Sequence, residues 1–258
     1  MVAPVAQTGY PVNSKPSLLP VQGLGNTERT DAWWLEPLLV LLAFALAGGY
    51  SAWAALQGKN YEWGPYMSPL YASPFTNVPF SPALILMWIP IGFRATCYFY
   101  RRCYHRVFFM NPPACAVSGM CTKYDGESKF PFILNNLHRY FLYLALLLVV
   151  LHWFHAVRAF NFDGQFGIGV GSLVILADTV LLSLYVFSCH SWRHWIGGKI
   201  DKFSNNAFTK LQHKAWARVT ILNESHGLWA WLSLGTVCLA DYYVRLVASG
   251  VWADVRFF

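Results

Sequence analysis

The sequence predicts an all-α membrane protein, a polytopic bundle of five transmembrane helices. Of its 258 residues, 56% are hydrophobic and 12% are charged, whereas about a quarter of the residues of a soluble domain are charged. The apolar residues lie in runs long enough for membrane-spanning helices, which need about 20 mostly apolar residues. Lys and Arg lie in short segments between these runs. We therefore attribute the net charge of +7 to helix orientation and exclude a nucleic-acid partner.

The chain divides into an irregular cytoplasmic tail, residues 1–32, and a transmembrane domain, residues 33–258. The tail contains Pro, Gly, Ser and Asn without any periodicity, which is typical of irregular structure. The predicted spans of the domain are about residues 33–56, 82–100, 132–158, 171–192 and 221–247. We expect segment 199–218, which precedes the last span, to form an amphipathic helix at the membrane interface.

The basic residues orient these spans. One set of loops carries Arg101, Arg102, Arg106, Lys123, Lys129, Arg193, Lys199, Lys202, Lys210, Lys214 and Arg218. The opposite set carries little beyond Lys59 and Arg158. Because cytoplasmic loops hold the excess of Lys and Arg, we predict a cytoplasmic N-terminus and a C-terminus outside the cell. A cytoplasmic partner would then meet the basic loops.

Four potential metal ligands lie at one predicted depth, close to the cytoplasmic surface. Cys97, His138, His190 and His226 belong to four different spans, and the rise of 1.5 Å per helical residue gives their level. An ionisable residue at lipid depth indicates function, because an unpaired one is costly. Imidazole and thiolate together suit iron, copper or zinc.

Two Cys and two His are the ligands of a Rieske-type [2Fe–2S] cluster. The predicted metal ligands are Cys97, Cys115, His190 and His226. Cys115 is chosen because the prolines before it favour an extended path back to the bundle. Two alternatives remain open: His138 can replace a named ligand, and Cys189 can join its neighbour only if the helix unwinds there.

Haem b is the competing cofactor, since its iron needs two axial His from facing helices. His138, His190 and His226 could supply such a pair, and the cysteines would then have no role. The sequence leaves the choice between cluster and haem open.

Basic and aromatic residues at the same level predict a site for a quinone, whose carbonyl oxygens need donors and whose ring needs aromatic walls. The predicted cofactor-binding residues are Arg94, Tyr98, Arg101, His138, Arg139 and Trp192. His138 and Arg139 are also candidate proton donors. No catalytic residue is assigned.

Three further acidic and basic residues lie within the predicted spans. Asp178 lies near the middle of the fourth span, where a proton relay and a plain hydrogen bond to Ser or Thr are equally open. Asp241 and Arg245 are four residues apart in the fifth span, which favours an ion pair. An ion or proton-coupled transporter is the alternative of another class. It lacks support, because the sequence shows no inverted repeat.

Four segments of the chain are similar to one family of proteins. They are residues 93–102 (FRATCYFYRR), 112–117 (PPACAV), 136–141 (NLHRYF) and 188–194 (SCHSWRH). Over residues 33–247 the chain resembles the membrane-anchor, cytochrome b-like subunit of actinobacterial succinate dehydrogenase, of the type with a single five-helix anchor. The segment 224–229 (ESHGLW) instead resembles a haem-ligand helix of two-haem anchors, which keeps haem b as an alternative.

This resemblance implies a respiratory complex II in the bacterial plasma membrane. A flavoprotein subunit would oxidise succinate, an iron–sulfur subunit would relay the electrons, and this anchor would pass them to a quinone, typically menaquinone. The resemblance also implies a Rieske-type cluster in place of haem b. Fumarate reductase with a haem-binding anchor is the alternative within the class.

Overall fold

The computed structural model describes residues 23–71, 79–120 and 126–258. The first 22 residues of the predicted tail, and Lys123 of the basic loops, lie outside the described residues. The helices are α1 (Leu35–Gln57), α2 (Ala83–Leu86), α3 (Trp88–Ala95), α4 (Tyr98–Phe108), α5 (His138–Arg158), α6 (Val170–Phe187), α7 (His190–Gly197), α8 (Ala207–Glu224) and α9 (His226–Ala248). Three short 3₁₀ segments are Pro69–Tyr71, Gly126–Ser128 and Phe132–Leu137.

Two small antiparallel hairpins connect helices at one end of the bundle. Strand β1 (Glu62–Trp63) pairs with β2 (Tyr66–Met67), between α1 and α2. Strand β3 (Asn161–Phe162) pairs with β4 (Gln165–Phe166), between α5 and α6. We call this end the hairpin end. The opposite end, formed by α4, α7 and α8, is the basic end.

The described helices confirm the predicted all-α membrane fold. Three helical stretches have the length and hydropathy of a membrane span: Leu35–Gln57, Phe132–Arg158 and Val170–Phe187. The pair Ala83–Ala95 and Tyr98–Phe108 makes a fourth when taken as one bent span. Helix α9 has 23 residues, about 34 Å at the usual rise, but its Trp, Tyr and Asp residues lower its hydropathy. The count of five spans is therefore approximate.

The helices differ from the predicted spans at the basic end. The chain bends by 79° between α3 and α4, within the segment 82–100 that was predicted as one span. The predicted span 171–192 ends at Phe187, and α7 begins separately at His190. The segment predicted as a helix at 199–218 contains most of α8, which begins at Ala207 and ends at Glu224. Both breaks lie within the predicted spans, where the chain passes from apolar to polar and basic residues.

Extended cysteines produce two of these breaks. Cys97 has φ −67° and ψ 132°, and Cys189 has φ −63° and ψ 141°. Each is therefore the N-cap residue of the next helix, α4 and α7 respectively. The non-helical backbone of an N-cap residue changes the direction of the chain at the start of the next helix.

The core at the basic end joins α3, α4, α5, α6 and α9. Its buried residues are Phe93, Cys97, Tyr100, Leu142, Ala145, Val149, Tyr185, Val186, Cys189 and Ala230. Helix α3 approaches α5 closely at Gly92, where an added Cβ would lie 2.1 Å from a ring carbon of Phe141. This close packing positions the residues that follow on α3.

Polar side chains hold the hairpin end of α9. Arg245 Nε donates to Asp241 Oδ2 at 2.7 Å, so the predicted ion pair is present. Tyr50 of α1 also donates to Asp241, at 2.5 Å, and Ser68 donates to the other carboxylate oxygen. This network ties α9 to α1 and to the first hairpin.

The segment after α9 closes the hairpin end against α6. Asp254 accepts hydrogen bonds from the Tyr66 hydroxyl at 2.7 Å, from the Tyr243 hydroxyl at 2.5 Å and from the Gly171 amide at 3.0 Å. Burial and the hydrogen bond to Asp254 raise the pKa of Tyr66 to about 12. The carboxylate at the first turn of α6 also complements the helix dipole.

Asp178 makes the hydrogen bond that was one of its two predicted alternatives. It is 1% exposed, and the Thr236 hydroxyl of α9 donates to its Oδ1 at 2.9 Å. The contact joins α6 to α9 in the middle of the bundle.

Candidate metal centre and adjoining cavity

Two Cys–His contacts lie in the core of the basic end. His138 Nε2 is 3.1 Å from Cys189 Sγ, and His226 Nε2 is 3.4 Å from Cys97 Sγ. Both sulfur atoms belong to residues that are 2% exposed, and His138 is 4% exposed. Each of the four residues lies where a helix begins: Cys97 and Cys189 cap α4 and α7, while His138 and His226 start α5 and α9. The helix breaks thus gather the four donors at one end.

The residue before each cysteine binds the histidine that contacts the other cysteine. Thr96 Oγ1 is 2.9 Å from His138 Nδ1, although His138 contacts Cys189. Ser188 Oγ is 2.7 Å from His226 Nδ1, although His226 contacts Cys97. The two Cys–His contacts are therefore tied to each other through the backbone at the breaks.

An asparagine completes each half of this arrangement. Asn135 Nδ2 donates to the Thr96 carbonyl at 3.0 Å, and Asn223 Nδ2 donates to the Ser188 carbonyl at 2.7 Å. Each asparagine precedes a histidine by three residues. The same arrangement therefore occurs twice: a Thr or Ser followed by Cys is held by an Asn-x-x-His segment. We call each copy a clamp. The first clamp consists of Thr96, Cys97, Asn135 and His138, and the second consists of Ser188, Cys189, Asn223 and His226.

Aromatic rings lie between the two histidines. His138 stacks on Phe93 with ring centroids 4.7 Å apart, and His226 stacks on Tyr185 at 5.1 Å. Phe93 and Tyr185 meet edge-on at 5.4 Å. These rings surround the donors with apolar surface and limit the access of water.

The structure does not bring the other two predicted ligands to this place. Cys115 is exposed after α4, and its Sγ is 3.9 Å from Arg106 Nη2. His190 is exposed on α7, because the extended backbone at Cys189 sends the two neighbouring side chains apart. Of the predicted set, Cys97 and His226 lie here. His138 and Cys189, the two alternatives, lie with them.

The four donors form pairs and not a closed single-ion site. Across residues 23–71, 79–120 and 126–258, no three His, Cys, Asp or Glu side chains are grouped so that they could hold one metal ion. The donor set fits a binuclear cluster in kind and number, since such a cluster takes two protein ligands on each iron.

Arg94 connects this core to a cavity. Its guanidinium donates to the Tyr100 hydroxyl at 2.5 Å, to the Ser233 hydroxyl at 3.0 Å and to the Ala230 carbonyl at 3.1 Å. It also lies 4.6 Å from the centroid of the Tyr185 ring, the ring on which His226 stacks. The Tyr185 ring therefore contacts both the Arg94 guanidinium and His226, which belongs to one of the two Cys–His contacts.

The cavity has a volume of about 500 Å³ and lies between α1, α3, α4, α5, α6 and α9. Most of its wall is apolar, including Phe44, Met87 and Ile91. Its polar or ionisable lining residues are Ser51, Arg94, Tyr100, Tyr104, His152 and Tyr185. This volume and this mixture are typical of a small-molecule site.

The other predicted cofactor-binding residues do not line this cavity. Tyr98 is exposed, with the Arg101 guanidinium 5.0 Å from its ring centroid, and Arg101 pairs with Glu127. Arg139 is exposed. Trp192 packs on Phe187 at 5.2 Å. His138 belongs to a Cys–His contact, so Arg94 is the one predicted residue that lines the cavity.

Sequence reasoning missed Tyr100 and Tyr185 as lining residues, and it missed the role of the hydroxyl residues. The sequence does contain a pattern that indicates the role of the hydroxyl residues. Thr96-Cys97 and Ser188-Cys189 share the pattern hydroxyl–Cys, and Asn135 and Asn223 each precede a His by three residues.

The long apolar helices and the buried Cys and His at one end define a helical membrane protein with a candidate metal centre. Residues 35–250 match the family described as the actinobacterial succinate dehydrogenase subunit SdhC. A chain in a structure of the Mycobacterium smegmatis Sdh1 complex in the apo form is 37% identical, with a TM-score of 0.83. The match covers 92% of this chain and 96% of that chain. Comparison with curated proteins finds no similar sequence.

The chain therefore belongs to the actinobacterial SdhC family, as the sequence resemblance predicted. It is a multi-pass membrane subunit of succinate dehydrogenase, an oxidoreductase of the respiratory electron-transport chain.

Proposed function

We propose that this subunit passes electrons from an iron–sulfur subunit at the basic end, through a buried centre held by Cys97, Cys189, His138 and His226, to a quinone in the cavity beside Arg94. The observation that carries the proposal is the meeting of the two Cys–His contacts at the starts of four helices. Menaquinone is the quinone that we expect.

The basic end is the proposed docking surface for the iron–sulfur and flavoprotein subunits. Its exposed basic residues include Arg102, Lys199, Lys202, Lys210, Lys214 and Arg218. Excess positive charge also marks the cytoplasmic side of a membrane protein. We therefore orient the basic end towards the cytoplasm, with the N-terminus on that side and the C-terminus outside.

A Rieske-type [2Fe–2S] cluster is the proposed resident of the centre. His138, His226, Cys97 and Cys189 would be its four ligands, because clusters of this type take two histidines and two cysteines. This set replaces Cys115 and His190 of the sequence-based prediction with Cys189 and His138. When bound, the cluster would supply a one-electron carrier.

The observed contacts favour this cluster over haem b. The Nε2 atoms of His138 and His226 each face a sulfur atom, and neither histidine lines the cavity. The histidine that does line it, His152, has its Nδ1 2.7 Å from the Leu148 carbonyl of its own helix. A haem in the cavity would thus find no facing pair of imidazoles among its lining residues.

Arg94 is the proposed donor to a quinone carbonyl. Its guanidinium and the Tyr100 hydroxyl line the cavity together, and a charged donor in an apolar wall forms a strong hydrogen bond. The apolar surface of α1 and α3 would accept the ring and its isoprenoid tail. Arg94 therefore sets which end of the quinone faces the centre.

The test compares two pairs of variants in the purified complex. Cys189→Ser and His138→Ala should lose the electron paramagnetic resonance signal of a His-ligated cluster and the reduction of quinone by succinate. Both should keep the reduction of a soluble dye by the flavoprotein subunit, because that reaction does not need this centre.

The matched controls are Cys115→Ser and His190→Ala, which change the same residue types at exposed positions. They should keep the signal and the quinone activity. The proposal is wrong if the controls lose the signal while Cys189→Ser and His138→Ala retain it.

A further inference from the structure

We infer that Thr96 and Ser188 are positioning residues that fix the protonation site of both imidazoles and present Nε2 of each as the ligating atom. The inference rests on the proposed function and deepens it, because it assigns roles to two hydroxyl groups next to the centre. It follows from the number of protons that these hydroxyls can donate.

The hydroxyl of Thr96 has one proton, and its neighbours decide where that proton lies. Thr96 Oγ1 is 2.7 Å from the carbonyl oxygen of Gly92. Two oxygens this close need a hydrogen between them, and a carbonyl has none to give. Thr96 therefore donates to Gly92 and must accept from His138 Nδ1, which lies 2.9 Å away.

His138 consequently carries its proton on Nδ1. Its Nε2 then has a free lone pair, and this atom is the one that lies 3.1 Å from Cys189 Sγ. A neutral imidazole with one nitrogen protonated and the other free is the form that binds a metal.

The same reasoning holds for the second clamp. Ser188 Oγ donates to the Tyr185 carbonyl at 3.0 Å, so it accepts from His226 Nδ1 at 2.7 Å. The free Nε2 of His226 lies 3.4 Å from Cys97 Sγ.

The asparagines keep the hydroxyl residues in place. The breaks at Cys97 and Cys189 turn the preceding carbonyl groups out of the regular helix, where they need new donors. Asn135 donates to the Thr96 carbonyl and Asn223 donates to the Ser188 carbonyl. Each clamp therefore holds both the backbone and the hydroxyl of its Thr or Ser.

Because each hydroxyl binds a proposed histidine ligand directly, it should affect the reduction potential of the centre as well as the packing. A metal-bound imidazole that donates its other N–H is a more basic ligand, and a more basic ligand stabilises the oxidised metal. Removing the hydroxyl acceptors should therefore raise the reduction potential of the centre.

The test uses the whole purified complex with Thr96→Val and Ser188→Ala, alone and together. Thr96→Ser and Ser188→Thr are the matched controls, because they keep the hydroxyl. A redox titration followed by electron paramagnetic resonance should show a higher midpoint potential and shifted g values in the first group. The hydroxyl-retaining controls should stay close to wild type.

Wild-type potential and g values in Thr96→Val and Ser188→Ala would overturn the inference. If Thr96→Val loses the cluster, Thr96→Ser decides: restoration supports the role of the hydroxyl, and loss in both variants contradicts it. A wild-type complex with no His-ligated cluster would instead refute the proposed function, so the two failures are distinguishable.

Discussion

Replacing Arg94 by Met should weaken quinone binding without unfolding the protein. The proposed hydrogen bond from the guanidinium to a quinone carbonyl is charged, and such bonds contribute about 1.5–3 kcal/mol. At about 1.4 kcal/mol per tenfold change, the KM for quinone should rise roughly 10- to 150-fold. Met fills part of the same space but offers no donor.

The partners of Arg94 explain why the fold should persist. The Tyr100 hydroxyl also donates to the Ala230 carbonyl at 2.6 Å, and the Ser233 hydroxyl lies 3.2 Å from the same oxygen. Each partner thus keeps a hydrogen bond after the substitution, so no buried polar group is left without one. The structural cost should stay well below that of an orphaned polar group.

The assay is the steady-state reduction of a short-chain menaquinone analogue by succinate in the purified complex. Dye reduction by the flavoprotein subunit checks that the complex is intact. Arg256→Met, which removes an exposed arginine at the hairpin end, is the matched control and should leave the KM unchanged. A wild-type KM in Arg94→Met would refute the placement of the quinone beside Arg94.

Three further predictions concern the fold and the docking surface. Asp241→Ala leaves the buried charge of Arg245 uncompensated and should cost about 3–5 kcal/mol; an unchanged unfolding transition by circular dichroism would contradict this. Gly92→Leu places a side chain where a Cβ already lies 2.1 Å from a ring of α5. It should lose about 1–3 kcal/mol by overpacking, measured in the same way, and a gain in stability would count against the packing. Lys210→Glu with Lys214→Glu reverses two exposed charges on α8 and should reduce co-purification of the iron–sulfur subunit, most strongly at low salt because salt screens exposed charges; full retention would argue for docking elsewhere.

Composition and hydropathy were sufficient to predict the helical membrane fold. The long apolar stretch of α1 and the stretch Phe132–Arg158 lie close to the predicted spans. The spacing of Asp241 and Arg245 also predicted their ion pair. These features depend on residues within one helix, where the period of the helix gives the geometry directly.

The predicted spans ran through the helix breaks, and the ligand set depends on these breaks. In a continuous fourth span, Cys189 and His190 would point about 100° apart on one helix, and His190 would be as well placed as Cys189. The break reverses that choice: Cys189 becomes a buried N-cap residue, and His190 moves to the surface. Which of the two neighbours turns inward is decided by tertiary contacts with α5 and α9.

The choice of Cys115 failed for a related reason. The prolines before it do keep the chain out of regular helix, but the segment is held at the surface by the residues before α1. Arg29 donates to the Cys115 carbonyl at 2.8 Å, and the Thr27 hydroxyl donates to the neighbouring Ala116 carbonyl at 2.6 Å. Such contacts over more than 80 residues of sequence leave no local signal.

The most direct test of the centre is pulsed electron paramagnetic resonance on the reduced complex, produced with histidine labelled with ¹⁵N. If His138 and His226 are ligands of the cluster, the spectrum should show couplings to two histidine nitrogens. The single variants His138→Ala and His226→Ala should each remove this signature. A cluster without histidine couplings, or a reduced-haem absorption band in its place, would contradict the account.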